Sequence, residues 1–353
     1  MPVTSQSEPP DPATPSRKAE HIAINVERDV AAKGVATGFG DFGFVHQALP
    51  EIDFDEVNTA TRLFGRDLAA PLLISCMTGG TPEATRINRV LADVAQAHHL
   101  AMGLGSGRAL IESPGTLETF DVRERAADVL LFANLGAVQL KRGYTADHCR
   151  RLVESVRADA LVLHLNALQE ALQPEGDTCY RGVLQEIRAT CRALEFPVIV
   201  KEVGWGLAPD VVRALFDVGV AAVDLAGAGG TSWSEVERYR LREPWRARVA
   251  AAFSGWGIPT AECLRRAREV APDQTIIASG GIRTGIDVAK ALALGADLVG
   301  IAGPFLRAAD AGYDAAFDLA RELIEVLRVA MFSLGVATLG ELHLTPRLTR
   351  LRG

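Results

Sequence analysis

Eight short apolar runs, each followed by a stretch of helical spacing, narrow the folds open to this chain more than any other feature. They occupy residues 72–77, 101–104, 130–134, 160–165, 198–203, 221–225, 275–279 and 298–302. Runs of Val, Ile, Leu and Ala alternating with helical stretches are repeated βα units, which build a parallel sheet. Strands apolar on both faces must be covered on both, by helices outside and by one another inside, and eight is the number that closes. The fold class expected is therefore α/β, a (β/α)8 TIM barrel, with a doubly wound open sheet as the alternative. At 353 residues the chain exceeds the ~250 of a typical barrel, so segments outside the barrel are expected as well. Stripes at Ile87, Leu91, Val94 and Ala95, and at Val211, Ala214, Leu215 and Val218, mark helix faces turned toward the strands.

The surplus falls in three places. Residues 1–16 are proline-rich at their start and lack apolar periodicity, so they read as a disordered tail, leaving 17–353 as a single barrel domain. Residues 17–70 precede the first strand and must either pack outside the barrel or reach over it. Residues 227–259, between the sixth strand and its helix, carry Trp233, Trp245 and Trp256. That connection far exceeds the usual ~2–6 residues and is expected to cover part of the barrel mouth.

Charge and cysteine content exclude several classes. Thirty-seven basic against 44 acidic side chains give a net charge of −7, which opposes a nucleic-acid partner held by general electrostatics. Any anionic ligand must instead be held by local cations. Cys76, Cys149, Cys179, Cys191 and Cys263 form no CxxC pair, so neither a zinc site nor a disulfide framework is indicated, and reduced thiols fit a cytoplasmic setting. No apolar segment approaches the ~20 residues of a membrane span, and no secretory leader is seen. A soluble protein without a membrane partner is expected.

In such barrels the working groups sit at the C-terminal ends of the strands. The fourth run ends in His164, Asn166, Gln169 and Glu170, four polar groups that cost free energy if buried and unpaired. Either they face a polar ligand, or they satisfy neighbouring backbone groups and open a solvated loop. Lys201 interrupts the fifth run and needs an anionic partner, a ligand, or a Schiff-base role; Glu202 alternates to the other face and is the weaker partner. Ser106 and Arg108 face one side if their strand continues, and the arginine fork suits phosphate. Gly280, Gly281 and Arg283 at the seventh end, with Ala302 and Gly303 at the eighth, form the pattern of a barrel phosphate site. Arg17 and Lys18 make a further basic pair. His21, His46, His98, His99, His148 and His343 lack metal-ligand spacing and read as surface or packing residues.

Taken together these ends resemble the type 2 isopentenyl diphosphate isomerases, flavoenzymes on an FMN-binding (β/α)8 barrel. The resemblance rests on Arg17-Lys18-x-x-His21, Met77-Thr78-Gly79-Gly80, Gly105-Ser106-x-Arg108, His164-Leu165-Asn166-x-x-Gln169-Glu170, Val200-Lys201-Glu202-Val203-Gly204, Gly229-Gly230-Thr231-Ser232-Trp233 and Ser279-Gly280-Gly281-Ile282-Arg283, in that order. It implies interconversion of isopentenyl and dimethylallyl diphosphates with reduced FMN and a magnesium ion, NADPH serving only to reduce the flavin. It places FMN against Met77, Thr78, Gly79, Ser106, Asn134, Lys201 and Thr231, with its phosphate on Gly281, Arg283, Ala302 and Gly303. Substrate diphosphate falls to Arg17, Lys18, Ser106, Arg108, His164 and Asn166, and Glu170 becomes the metal ligand. One glutamate suffices, because magnesium takes one or two carboxylates together with waters and substrate phosphate oxygens. Gln169 lies next to the reacting hydrocarbon, where an amide is a poor acid or base and serves to position. Lys201, beside the flavin, favours its anionic reduced form. The resemblance also implies a homotetramer or homo-octamer.

Three other readings compete. A 2-hydroxy acid oxidase on an FMN barrel needs a histidine base at a late strand end, and the sixth end offers Gly229-Gly230-Thr231 instead. A Schiff-base lyase would use Lys201 and bind no flavin. A silent barrel serving as a scaffold would have no reason to keep so many polar groups at its mouth.

Overall fold

The computed structural model describes residues 13–351, without the side chains of 13–17 and Pro114. All eight runs are strands: β1 (Leu72–Ile74), β2 (Ala101–Gly103), β3 (Leu131–Gly136), β4 (Ala160–His164), β5 (Val198–Lys201), β6 (Ala222–Asp224), β7 (Thr275–Ser279) and β8 (Leu298–Ile301). They pair in parallel in chain order, and β8 pairs with β1 to close the barrel. The open-sheet alternative is thereby excluded. Period-two alternation divides each strand between two cores. Leu73, Phe132, Val162, Ile199, Ala222 and Ile277 belong to the plug inside the barrel, while their neighbours Leu72, Leu131, Leu161, Val200 and Val223 pack outward among the helices.

The lower end of the barrel is stoppered by a hairpin, Thr61–Leu63 paired with Arg66–Leu68, which sets Leu63, Phe64 and Leu68 against the inner plug. Outside, the stripe at Ile87, Leu91, Val94 and Ala95 is buried as expected. The stripe on the helix Pro209–Asp217 is rotated by one residue: Val212, Leu215 and Val218 are buried, whereas Val211 is exposed. With two adjacent valines the sequence leaves the phase open, and packing against the barrel selects it.

The segment before the barrel reaches over the mouth. A helix, Ala13–Glu27, lays Ile22 into the core and sets His21 edge-on to Trp233, ring centroids 5.1 Å apart. The chain after it is tied to the insertion by Ala32 N–H to Gly230 O (2.9 Å) and Ser232 N–H to Val30 O (2.8 Å). The insertion itself holds two helices, Trp233–Arg240 and Pro244–Ala251. The first helix begins at Ala13, within the segment expected to be a disordered tail. The remainder of that segment, residues 1–12, lies outside the described residues.

Candidate active site

Two residues beyond the inner plug, the same alternation turns a polar ring into the barrel mouth: Ser75, Asn134, His164, Lys201, Asp224 and Ser279 all line a cavity of about 580 Å³. The remaining two strands contribute Gly103 and Gly300, where a Cβ would stand 2.3 Å from Cys76 Sγ and 2.6 Å from Ser75 Oγ. Polar groups and missing side chains thus create one space from one layer. Every residue assigned to the site from the sequence whose side chain is described lines this cavity; the side chain of Arg17 lies outside the described residues.

On the floor, pairing sets His164 level with Lys201, and Lys201 level with Asp224. Lys201 is 9 % exposed and its Nζ donates to Glu202 O at 2.6 Å. Glu202 turns away, as alternation requires, and one carboxylate oxygen accepts the N–H groups of Val203, Gly204 and Trp205 at 2.6 Å each, bending the chain after β5. Burial raises the Glu202 pKa to about 7 against the pull of those three N–H groups. Burial, then the charges of Lys201 and Lys18, hold the His164 imidazole down at about 3, hence neutral. Its Nδ1 faces Asn134 Oδ1 at 2.8 Å, so that nitrogen donates and Nε2 is left as an acceptor. Cys76 also lines the cavity, its thiol pushed up to about 11 by burial and therefore protonated.

One wall gathers the groups assigned to an anionic substrate. Lys18 descends from the N-terminal helix and donates to Ser106 O at 3.0 Å. Arg108 is reached differently from the sequence argument. β2 stops at Gly103, and Arg108 opens a short helix after a turn, where Glu112 holds its Nε at 2.7 Å and Tyr144 in turn holds Glu112 at 2.6 Å. Asn166 Nδ2 donates to Glu170 Oε1 (2.7 Å) and to Gln169 Oε1 (3.2 Å), while Tyr180 O–H donates to Asn166 Oδ1 (3.0 Å). Gln169 Nε2 donates to Glu237 Oε1 at 3.0 Å, so both ends of this amide are engaged. Asn166, Gln169 and Glu170 thus form one connected network at the cavity, His164 pairs apart with Asn134, and Glu170 Oε2 also accepts the Asp177 N–H at 2.7 Å.

Sequence reasoning missed Asp224, Glu237 and Arg307, and it misplaced His21. His21, expected at the surface or in packing, lines the cavity and donates Nε2–H to Glu237 at 3.1 Å; helix packing over the mouth, which local spacing does not encode, puts it there. Asp224 was legible, because it breaks an apolar run two positions after an inward alanine. Glu237 lies on the insertion helix, and Arg307 on the helix after β8, where nothing local distinguishes them from surface charges.

Opposite that wall, glycines bring backbones together. At Gly230 a Cβ would stand 2.4 Å from Gly281 N, and Gly281 itself has φ +74°. Gly303 begins the helix Gly303–Ala311 beside Thr231 Oγ1 and the Arg307 guanidinium. Arg283 and Arg307 both line the cavity, and neither guanidinium closes an ion pair among the described residues. Exposed N–H groups, a helix N-terminus and two uncommitted arginines fit a phosphate; the buried Ser75 Oγ, without a hydrogen-bond partner, and the polar floor fit a polar ring system attached to it. A metal is a narrower fit. Among the described residues no group of three or more His, Cys, Asp or Glu is placed to hold an ion, so Glu170 alone suits only a cation that takes its other ligands from water and a bound anion.

A closed parallel barrel with a polar floor and a mouth lined by glycines and arginines suited to a phosphate is a ligand-binding (β/α)8 barrel. The family model for FMN-dependent dehydrogenases matches residues 123–349. The fold is shared by a mutant flavocytochrome b2 with pyruvate bound (TM-score 0.70, 20 % identity, 94 % of this chain and 85 % of that one) and by a mutant mandelate oxidase with an FMN adduct (TM-score 0.63, 20 % identity, 95 % and 92 %). Proteins named isopentenyl-diphosphate delta-isomerase are much nearer in sequence. One from Nostoc sp. is 47 % identical over 351 residues (99 % of both chains), one from Synechococcus sp. 51 % over 332 (94 % of both), and one from Rickettsia bellii 48 % over 326 (92 % of this chain, 95 % of that one). This chain belongs to the isopentenyl-diphosphate delta-isomerase family, on the FMN-dependent barrel.

Proposed function

We propose that the protein interconverts isopentenyl diphosphate and dimethylallyl diphosphate with FMN kept reduced and with a magnesium ion that Glu170 would hold. The observation that carries this is a single cavity with a phosphate cradle on one side, an anion-binding wall on the other, and between them an amide held at both ends. Gly281, Arg283, Ala302 and Gly303 hold the FMN phosphate, and Met77, Thr78, Gly79, Ser106, Asn134, Lys201 and Thr231 surround its rings. When bound in reduced form, FMN supplies the acid and base that move the allylic proton, and NADPH supplies its electrons. Arg17, Lys18, Ser106, Arg108, His164 and Asn166 bind the diphosphate; Glu170 gives the magnesium its protein ligand. His164 offers an acceptor in the free protein, so it takes up a proton, or the Asn134 amide turns, when a diphosphate arrives. Gln169, tied to Glu237 and Asn166, positions the hydrocarbon, since an amide is a poor acid or base.

Colour and turnover test this. The purified protein is expected to be yellow and to isomerise isopentenyl diphosphate only with reduced flavin and magnesium. Equal turnover with oxidised flavin in air, or a colourless protein that FMN does not restore, sinks the reading. Glu170→Gln is expected to cut magnesium-dependent turnover by roughly 100-fold while FMN stays bound; loss of FMN with turnover kept would overturn the metal assignment.

A further inference from the structure

The polar ring contains one carboxylate, and the proposed function leaves it without a task. Asp224 is 3 % exposed, stands level with Lys201 across the β5–β6 pairing, and lines the same cavity. Its Oδ1 accepts the Ser279 hydroxyl at 2.5 Å, and the Ala226 N–H adds a second donor. Burial raises its pKa, while the Lys201 charge and these donors act the other way.

Among the described residues around Lys201, Glu202 is the other carboxylate that feels its charge, and it points to the opposite face of the strand. From β4 comes His164, neutral; from the chain after β1 comes Cys76, a protonated thiol. The N-terminal helix brings Lys18, a second cation whose field also reaches His164. Glu202 spends its carboxylate on the N–H groups of 203 to 205. Lys201 closes no ion pair among the described residues and gives Nζ to a backbone oxygen, so its attraction to Asp224 acts through space, where low polarity strengthens it. A buried ammonium without a partner sheds its proton.

We propose that Asp224 is a positioning residue for the reaction: it is the counter-charge that holds Lys201 as an ammonium inside the barrel and so keeps a cation facing the cavity. Its use in catalysis rests on the flavin reading above, but the charge pairing does not. The division of labour follows from geometry. Because Nζ is tied to Glu202 O and not to the carboxylate, Lys201 keeps donors free for an anionic ligand, while Asp224 is fixed by Ser279 and cannot swing across to neutralise it.

The chain has only five lysines, so protein labelled with ¹³C at the lysine ε-carbon gives few signals, and Lys201→Met assigns the one of interest. Its titration is expected to move down by at least one pH unit, a tenfold loss of proton affinity, in Asp224→Asn, which keeps an acceptor for Ser279. Turnover of that variant is expected to gain a falling limb at the pH where the Lys201 signal titrates. Ser279→Ala, which frees the carboxylate to approach Lys201, is expected to move the signal the other way, up, and serves if Asp224→Asn does not fold; an unmoved signal there overturns the proposal as well. A Lys201 signal that titrates as in the unmodified protein overturns the proposal. Wild-type protein that fails to bind FMN would overturn the flavin site and leave the Lys201 titration standing, so the two failures are separable.

Discussion

Glu237 shows how much one residue carries in this site. Its carboxylate is 0 % exposed and meets His21, Gln169, Gln173 and Arg240. Burial pushes its pKa up, but His21, Arg240 and Gln169 outweigh that and hold it at about 2 against an ordinary 4.5. A carboxylate depressed on folding contributes stability that is complete above the unfolded value and lost as pH falls toward the folded one. The shift corresponds to about 3 kcal/mol. Urea unfolding should therefore find Glu237→Gln less stable than wild type by about that amount at pH 7, with the gap closing between pH 4.5 and about 2. A gap that stays constant as pH falls would show that Glu237 acts by packing alone. Neither this residue nor its four partners, spread from position 21 to 240, shared a pattern that sequence could display. Asp224 differs, since alternation from Ala222 predicts its direction and only its relation to Lys201 needed the fold.

At the scale of elements, the strands were legible because alternation and burial act within a few residues, and every run found by composition became a strand at or close to its expected ends. The turns were less so. β2 gave out at Gly103, and Arg108 came to the cavity on the helix Arg108–Glu112. The cradle depends on closeness of backbones. Gly230→Ala would drive a methyl against Gly281 N, a contact of 2.4 Å with backbone that cannot swing aside. The variant is expected to fold, with unchanged far-ultraviolet circular dichroism, and to lose FMN affinity by at least about tenfold, as the deletion of one good phosphate contact would cause. Flavin fluorescence quenching measures it, and affinity equal to wild type would place the phosphate elsewhere.

For the whole molecule, closure makes one cavity from eight strand ends, the N-terminal helix and the insertion. A ligand that fits there braces all of them at once. FMN at 100 times its dissociation constant should stabilise the fold by about 2.7 kcal/mol, raising the midpoint of thermal unfolding by a few degrees over the flavin-free protein. A midpoint that does not respond to saturating FMN would contradict the cradle. The net charge of −7 is also a whole-molecule property, and it coexists with a mouth where Lys18, Arg108, Arg283 and Arg307 gather. Composition excluded a general anion binder without excluding a local one.

The sequence by itself determined the barrel, its eight strands and the polar character of their C-terminal ends, because hydrophobic periodicity and backbone alternation are local. It also carried enough ordered motifs to point to the family. The tertiary structure alone decided that residues 18–32 reach over the mouth while the hairpin of residues 61–68 stoppers the opposite end, and that His21 joins the site. It also decided that Glu237 holds Gln169 and that Asp224 stands level with Lys201 on the cavity side while Glu202 turns away. Those outcomes depend on strand register, barrel closure and the seating of distant helices, which are set by contacts between residues far apart in the chain.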